Sequence, residues 1–332
     1  MEGRGPVHNL GIQYPAAKQV RFIDLGAPPD PGPTQVLIGT HYSGVTNGTE
    51  RHALLGEHFW KTAFPSSHGY QHVGRIVKRG EAVQGFKEGD WVFCGQYVGH
   101  RGWNLVDVGT ADLRSNGSHL VYPIPEGVDP VECALLGVAG VAMRGVRRFR
   151  IAPAQNVWVA GQGMIGQFAA QAARAFGARV TVSDLDEKRL EIAKSCGAHR
   201  VINARDPGVW DALKAGRPYD CIIDACNVDS FLMDVDHHGL LAFGRSVIGM
   251  LAVHSEVVFN WGMLHGREAS IEVSCHFSLD DLRVILHFMR QGILLVKPWI
   301  SHFVPIGEAL SIYEILRDRP TDLRGVVFDW TT

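Results

Sequence analysis

The stretch Asn156-Val-Trp-Val-Ala-Gly161-Gln-Gly163-Met-Ile-Gly166 decides how this chain is read. Apolar, β-compatible residues lead into a G-x-G-x-x-G turn. An alanine-rich helical run, Gln167-Phe-Ala-Ala-Gln-Ala-Ala-Arg-Ala-Phe-Gly177, follows, and then a second strand, Ala178-Arg-Val-Thr-Val-Ser-Asp184, that ends on an acid. The three glycines play different parts. Gly161 permits the tight turn, Gly163 lets backbone approach a pyrophosphate, and Gly166 lets helix pack on strand. The N–H groups at the helix start (Gln162, Met164, Ile165) have no intrahelical partners and favour phosphate. Asp184, roughly twenty residues beyond the glycines, is placed to accept from adenosine ribose hydroxyls.

With 38 glycines in the chain, a glycine turn alone would carry little weight; the strand, helix, strand and acid around it make the pattern a dinucleotide site. A carboxylate at Asp184 repels a 2′-phosphate, so the expected cofactor is NAD rather than NADP. Lys188 and Arg189 lie just beyond and would soften that preference; Arg189 is counted with the cofactor residues.

Working outward, the region from about residue 150 alternates strand and helix. Strands are expected at 156–160, 179–183, 199–202, 220–224 and 245–251, and helices at 165–176 and 186–195. Such alternation builds a doubly wound parallel sheet with helices on both faces and the glycine loop at its switch point. Upstream, short strands at Val36-Leu-Ile-Gly-Thr-His-Tyr, Val73-Gly-Arg-Ile-Val-Lys and Asp90-Trp-Val-Phe are punctuated by Pro28-Pro-Asp-Pro-Gly-Pro33 and Phe86-Lys-Glu-Gly-Asp90, which marks a β-rich unit. Downstream come helices at 279–289 and 306–316, a strand near 298–303 and a last strand at 325–329. This tail is best returned to the first unit. Residues 1–145 and 277–332 then form one domain and 146–276 the other.

A length of 332 residues exceeds one ordinary core and fits two domains. A net charge of -2 gives no electrostatic reason to expect nucleic acid or an anionic membrane as partner. No apolar run is long enough to span a bilayer, and Met1-Glu-Gly-Arg-Gly-Pro-Val-His lacks a signal-peptide core, so a cytoplasmic protein is expected. In that setting Cys94, Cys133, Cys196, Cys221, Cys226 and Cys275, with no C-x-x-C among them, read as reduced thiols. The sequons at Asn47 and Asn116 carry no glycan there.

These segments together resemble the medium-chain dehydrogenase/reductase family from about residue 35 to residue 330. The likeness rests on Gly69-Tyr-Gln-His-Val-Gly74, Gly85-Phe-Lys-Glu-Gly-Asp90-Trp-Val and Pro123-Ile-Pro-Glu-Gly-Val-Asp-Pro-Val-Glu-Cys-Ala-Leu-Leu136. The nucleotide segment and the closing Tyr313-Glu-Ile-Leu-Arg-Asp and Gly325-Val-Val-Phe-Asp add to it. The resemblance implies an α/β chain with a GroES-like β-domain carrying substrate groups, a Rossmann cofactor domain, and an active site in the cleft facing the nicotinamide. It also implies a homodimer or tetramer. Ile248 and Met250 match positions that line the nicotinamide carboxamide through backbone groups in the family.

The resemblance also places the ligands of zinc-using relatives, and here those positions are Thr46, Tyr70 and Val138. Catalytic zinc takes three protein ligands from Cys, His or carboxylate, and none of these is one; the four-cysteine structural lobe is missing too. The expected enzyme is therefore metal-free, and another group must handle the proton that zinc would otherwise acidify. Tyr70 and His72 are two apart in an extended segment and should share a face, and either side chain can act as general acid or base. Thr46 and Asn47 are candidates to hydrogen-bond the reacting oxygen or the pyrophosphate. His41, His52, His68, His100 and His119 fall in the same domain, unranked.

The segment Ser43-Gly-Val-Thr-Asn-Gly-Thr-Glu50 resembles a subgroup that includes the bacteriochlorophyllide hydroxyethyl dehydrogenases and dehydrogenases of specialised metabolism. Asn47, Glu50, Tyr70 and His72 form a polar set suited to a hydroxyl-rich small molecule such as a sugar, cyclitol or polyol. The expected activity is NAD-dependent, zinc-independent hydride transfer with a secondary alcohol. Its rivals are an NADPH-dependent enone or quinone reductase and a non-redox lyase, epimerase or binding protein that retains the nucleotide fold.

Overall fold

A computed structural model describes residues 9–57, 62–108 and 121–332; His119 and the Asn116 sequon lie outside them. In chain order the first elements are β1 (Leu10–Gln13), β2 (Arg21–Asp24), β3 (Gln35–Gly44), α1 (Asn47–Leu55), β4 (His72–Arg79), β5 (Trp91–Cys94), β6 (Trp103–Asp107), β7 (Val121–Pro123), α2 (Pro130–Cys133) and α3 (Leu136–Arg148). Next come β8 (Asn156–Ala160), α4 (Met164–Ala175), β9 (Arg179–Asp184), α5 (Glu187–Ser195), β10 (Arg200–Asn203), α6 (Val209–Ala215), β11 (Cys221–Asp224), α7 (Phe231–His237), β12 (Val247–Met250), α8 (Trp261–Arg267) and β13 (Ser270–Val273). The chain closes with α9 (Leu279–Arg290), β14 (Ile300–Pro305), α10 (Ala309–Asp318) and β15 (Gly325–Asp329).

These elements fall into two compact units. One holds the described residues up to Gly137 with Ser278–Arg290 and Val296–Thr332, and the other holds Val138–Phe277 and Gln291–Leu295. The first break comes eight residues before the expected 145/146 boundary because α3 packs within the second unit. A Cβ on Gly145 would lie 2.6 Å from Leu251 Cδ2, and Phe149 fills the space where a side chain on Gly249 would stand. Gln171 adds 291–295 to the same unit: its Nε2 donates to Leu295 O at 3.0 Å and its Oε1 accepts from Leu295 N at 2.7 Å.

In the second unit six parallel strands run in the order β10-β9-β8-β11-β12-β13. Val157, Val159, Val180, Val182, Ile222 and Ile223 are all buried, as unbroken apolar strands covered on both faces require. The chain leaves β8 toward β9 and β10 on one side and returns to β11, β12 and β13 on the other. The order reverses at Ala160, so the glycine loop stands at the switch point. Sequence periodicity placed five of these strands within about two residues and did not mark β13, α6, α7 or α8.

In the first unit β14-β15-β3-β4-β5-β7 form one sheet, with β6 also on β3; β14 and β15 are parallel and the other pairs antiparallel. Val36, Ile38, Ile76, Val92 and Val106 pack on one side. Ile12, Tyr14, Val45, Leu54, Tyr313, Phe328 and Trp330 make a second cluster. The ten-residue β3 is the organising strand: near its end, Ser43 is in register with His72 of β4 and Phe328 of β15. Gly44 must be glycine there, since a Cβ would meet Ala134 O at 1.8 Å. Of the strand expected near 298–303, residues 300–303 lie in β14, while Pro298 and Trp299 belong to a 3₁₀ turn (Lys297–Trp299) that precedes it. No helix among the described residues is long and apolar enough to cross a membrane.

Candidate active site

The dinucleotide loop is built by its glycines. Gly161 follows β8 at φ +87°, and a Cβ on it would lie 2.6 Å from Ala225 O, so only glycine fits both the conformation and the space. A Cβ on Gly166 would strike Gly161 O at 1.9 Å, while one on Gly163 would project into open space. Gly163 therefore leaves room for a ligand and the other two leave room for the protein. It is also the N-cap of α4, and no side chain caps that helix, so the first-turn N–H groups of Met164, Ile165 and Gly166 remain available for phosphate.

Gln162 is buried and its backbone N–H donates to Asp184 Oδ2 at 2.6 Å, while its side-chain Oε1 is buried without a partner. Asp184 Oδ1 accepts from Asp186 N at 2.8 Å. Each carboxylate oxygen keeps a further lone pair for a sugar hydroxyl. Arg189 Nη1 stands 3.8 Å from Asp184 Oδ2, and its Nε is buried and unpaired. The cation thus sits against the acid that sequence reasoning used to choose the cofactor. Ile248 and Met250 are buried in the apolar cluster beneath; β12 is laddered on both sides, and Met250 O accepts from Ser274 N at 3.3 Å. These residues fit a nicotinamide dinucleotide, whose pyrophosphate Gly161 to Gly166 would hold and whose ribose Asp184 would receive.

In the first unit the polar residues converge on Glu50. Its side chain is 1% exposed; Oε1 accepts from Thr46 N at 2.7 Å, and Oε2 accepts from Tyr313 OH at 2.5 Å and pairs with His100 Nε2 at 3.1 Å. Burial pushes the carboxyl up, but the His100 charge and the hydrogen bonds from His100, Tyr313 and Thr46 outweigh it and hold Glu50 below the usual carboxylate range. His100 Nδ1 meets Ser43 Oγ at 2.8 Å, and Trp330 Nε1 donates to the same Oγ at 2.9 Å. Gly69, at φ +127°, admits the imidazole: a Cβ there would lie 2.8 Å from His100 Cδ2.

Around this pair the expected residues take different parts. Thr46, 7% exposed, accepts at Oγ1 from Gln71 Nε2 at 3.2 Å and keeps its own O–H to donate. Tyr70 is half-buried, stacked on Tyr97 with ring centroids 5.6 Å apart, and Gly137 makes room for its ring. Asn47 Nδ2 donates to Arg324 O at 2.8 Å, anchoring the start of α1 to the C-terminal segment. His72 is fully buried, with Nε2 at 3.0 Å from Gly99 O; burial, with the His100 charge close by, holds it at about 3. It stays neutral at ordinary pH and is wholly buried, which suits a structural part. Tyr70 precedes β4, so strand alternation does not tie it to the face of His72.

The alcohol dehydrogenase GroES-like domain matches residues 32–160, and the zinc-binding dehydrogenase family matches residues 165–291. The chain belongs to the medium-chain dehydrogenase/reductase superfamily. The quinone oxidoreductase of Rattus norvegicus is 27% identical over 90% of this chain and 93% of its own length. The probable D-xylulose reductase A of Emericella nidulans is 25% identical over 92% of each chain. An alcohol dehydrogenase of Escherichia coli CFT073, solved in complex with NADH, superposes with a TM-score of 0.83 at 19% identity, covering 98% of this chain and 100% of its own.

The resemblance places the ligands of zinc-using medium-chain oxidoreductases at Thr46, Tyr70 and Val138. Thr46 offers a hydroxyl already hydrogen-bonded to Gln71, Tyr70 a stacked phenol, and Val138 a buried aliphatic chain. Those three positions do not fit a catalytic zinc. Nor do the described residues contain any other group of three His, Cys, Asp or Glu arranged to hold a metal ion. Gln71, Ser43, Tyr313 and Trp330 escaped the sequence reading because their partners lie far along the chain. All six cysteines are free thiols, four of them buried.

Proposed function

We propose that this oxidoreductase is a zinc-independent, NAD-dependent dehydrogenase of a secondary alcohol; with Glu50 and His72 buried and Asn47 held by Arg324 O, a hydroxyl-rich substrate draws its support from the probable D-xylulose reductase among the relatives instead of from that polar set. The observation that carries the reading is that Thr46, Tyr70 and Val138 stand where the resemblance places the zinc ligands, with Thr46 Oγ1 accepting from Gln71 Nε2 and Tyr70 stacked on Tyr97. The bound nicotinamide supplies the hydride acceptor. Thr46 O–H donates to the substrate oxygen while Gln71 fixes the direction of its lone pairs. Tyr70, half-exposed and stacked on Tyr97, exchanges the proton. Glu50 and His100 hold the Thr46 backbone in place. The free thiols support a cytoplasmic setting.

Metal analysis of active protein tests the reading, with sub-stoichiometric zinc expected; one zinc per active chain overturns it. In the same preparation, Tyr70→Phe should lower turnover at least a hundredfold, about the scale of lost general acid–base catalysis, with NADH affinity held. An unchanged rate would make Tyr70 a packing residue. A second reading, an NADPH-dependent enone or quinone reductase, draws on the Arg189 guanidinium beside Asp184 with its unpaired Nε, which a 2′-phosphate would satisfy. Titration with NADH and NADPH separates the two.

A further inference from the structure

Across β8 from Asp184 lies a second acid that the reading above leaves unused. Asp224 ends β11 in register with Ala160, the last residue of β8, and is wholly buried. Its Oδ1 accepts from Cys226 N at 3.0 Å and from Asn227 N at 3.3 Å, and Cys226 Sγ stands at 3.3 Å. Its Oδ2 takes His254 Nε2 at 2.6 Å. One carboxylate thus fastens the turn after β11 to the segment after β12, both at the C-terminal edge of the sheet.

In the neutral tautomer that donates from Nε2 to the Asp224 carboxylate, Nδ1 of His254 presents a lone pair. The ring is 7% exposed, and Nδ1 makes no hydrogen bond among the described residues. The turn held by Asp224 abuts the glycine loop: a Cβ on Gly161 would lie 2.6 Å from Ala225 O and 2.9 Å from Cys226 Cα. With β8 between β9 and β11, Asp184 lies on one side of the loop and the Asp224–His254 pair on the other. A dinucleotide that crosses the switch point with its adenosine ribose at Asp184 carries its second ribose toward β11 and β12.

We propose that His254, oriented by Asp224, receives the nicotinamide-side ribose of the dinucleotide, its Nδ1 accepting a ribose O–H. The inference rests on the nicotinamide dinucleotide reading above. Calorimetric titration of the full chain with NADH, NADPH, ADP-ribose and AMP tests it. His254→Ala should weaken the dinucleotide and ADP-ribose about tenfold, the worth of one hydrogen bond, and leave AMP unchanged. His254→Gln, which keeps an acceptor, should recover part of that loss. Where His254→Ala lowers the melting temperature, His254→Phe keeps the ring volume without an acceptor, and the same selective loss is expected.

Equal weakening of every ligand would make the pair a staple between two loops and overturn the proposal, as would no weakening of any. Wild-type protein that binds neither NADH nor NADPH would overturn the cofactor reading on which it rests.

Discussion

Replacing Glu50 by Gln probes the part of the first unit that no local sequence pattern marks. The substitution keeps size and shape, and the amide oxygen can go on accepting from Thr46 N. The other terminus changes from an oxygen that receives Tyr313 OH and faces His100 Nε2 into an N–H donor. Both partners must then turn, and the charge opposite His100 is lost. Breaking a buried pair by removing one member costs about 3–5 kcal/mol; with one bond and the packing retained, we expect the lower end. At about 2–4 °C per kcal/mol for a unit of this size, the melting temperature should fall by roughly 6–12 °C near pH 6.

The pH dependence gives the sign. Glu50 is held below its ordinary value of 4.5 in the fold, so its ionisation contributes stability fully above about pH 4.5. That contribution is lost as pH falls through the folded value. The gap between wild type and Glu50→Gln should therefore be wide at pH 6 and close on further acidification. Urea unfolding at half-unit steps from pH 6 to pH 2.5 measures it. Equal stability at pH 6, or a gap that widens in acid, would refute the assignment of an ionised Glu50 paired with His100.

His72 yields a second linkage: it is neutral and held at about 3 in the fold, while the unfolded chain takes its proton near 6.5. Wild type should lose about 1.4 kcal/mol per pH unit from this one group as pH falls from 6.5 toward 3. His72→Gln should remove that slope, as seen by chemical denaturation; parallel slopes would disprove it. Gly163→Ala should fold normally and bind NADH more weakly, whereas Gly166→Ala, whose Cβ meets Gly161 O at 1.9 Å, should lower the melting temperature itself. Full NADH affinity in Gly163→Ala would remove the pyrophosphate from that loop. Gly137→Ala would put a methyl 2.8 Å from Tyr70 Cε2 and should depress turnover with NADH affinity intact; unchanged turnover would argue that the ring position is not critical.

The parts legible in sequence are those written in neighbouring residues. Gly161, Gly163 and Gly166 announce the turn because each solves a contact within the same short segment or with the adjoining strand. The central parallel strands β8 and β11 show because burial on both faces makes each an almost continuous apolar run, whereas the edge strand β13, Ser-Ile-Glu-Val and only partly buried, leaves no such mark. By contrast, α1 starts at Asn47 with Gly48 in its first turn and no side-chain cap at Thr46, so no helix signal precedes it. The Glu50 network is invisible for a different reason. Tyr313 and Glu50 are 263 residues apart and Trp330 and Ser43 are 287 apart, separations over which periodicity carries no information. The Asp224–His254 pair spans 30 residues and joins two loops, where spacing is unconstrained.

The two long separations also set an order of events during synthesis. At about 5–20 residues per second, Ser43 leaves the ribosome roughly 15–60 s before Trp330 does. For that interval β3 lacks its neighbour β15, and Glu50 lacks the Tyr313 hydroxyl. Residues 138–277 are contiguous and can close their own parallel sheet in the meantime. A nascent chain stalled before α10 should therefore carry a closed parallel sheet over 138–277 and a first sheet that is still open and chaperone-binding.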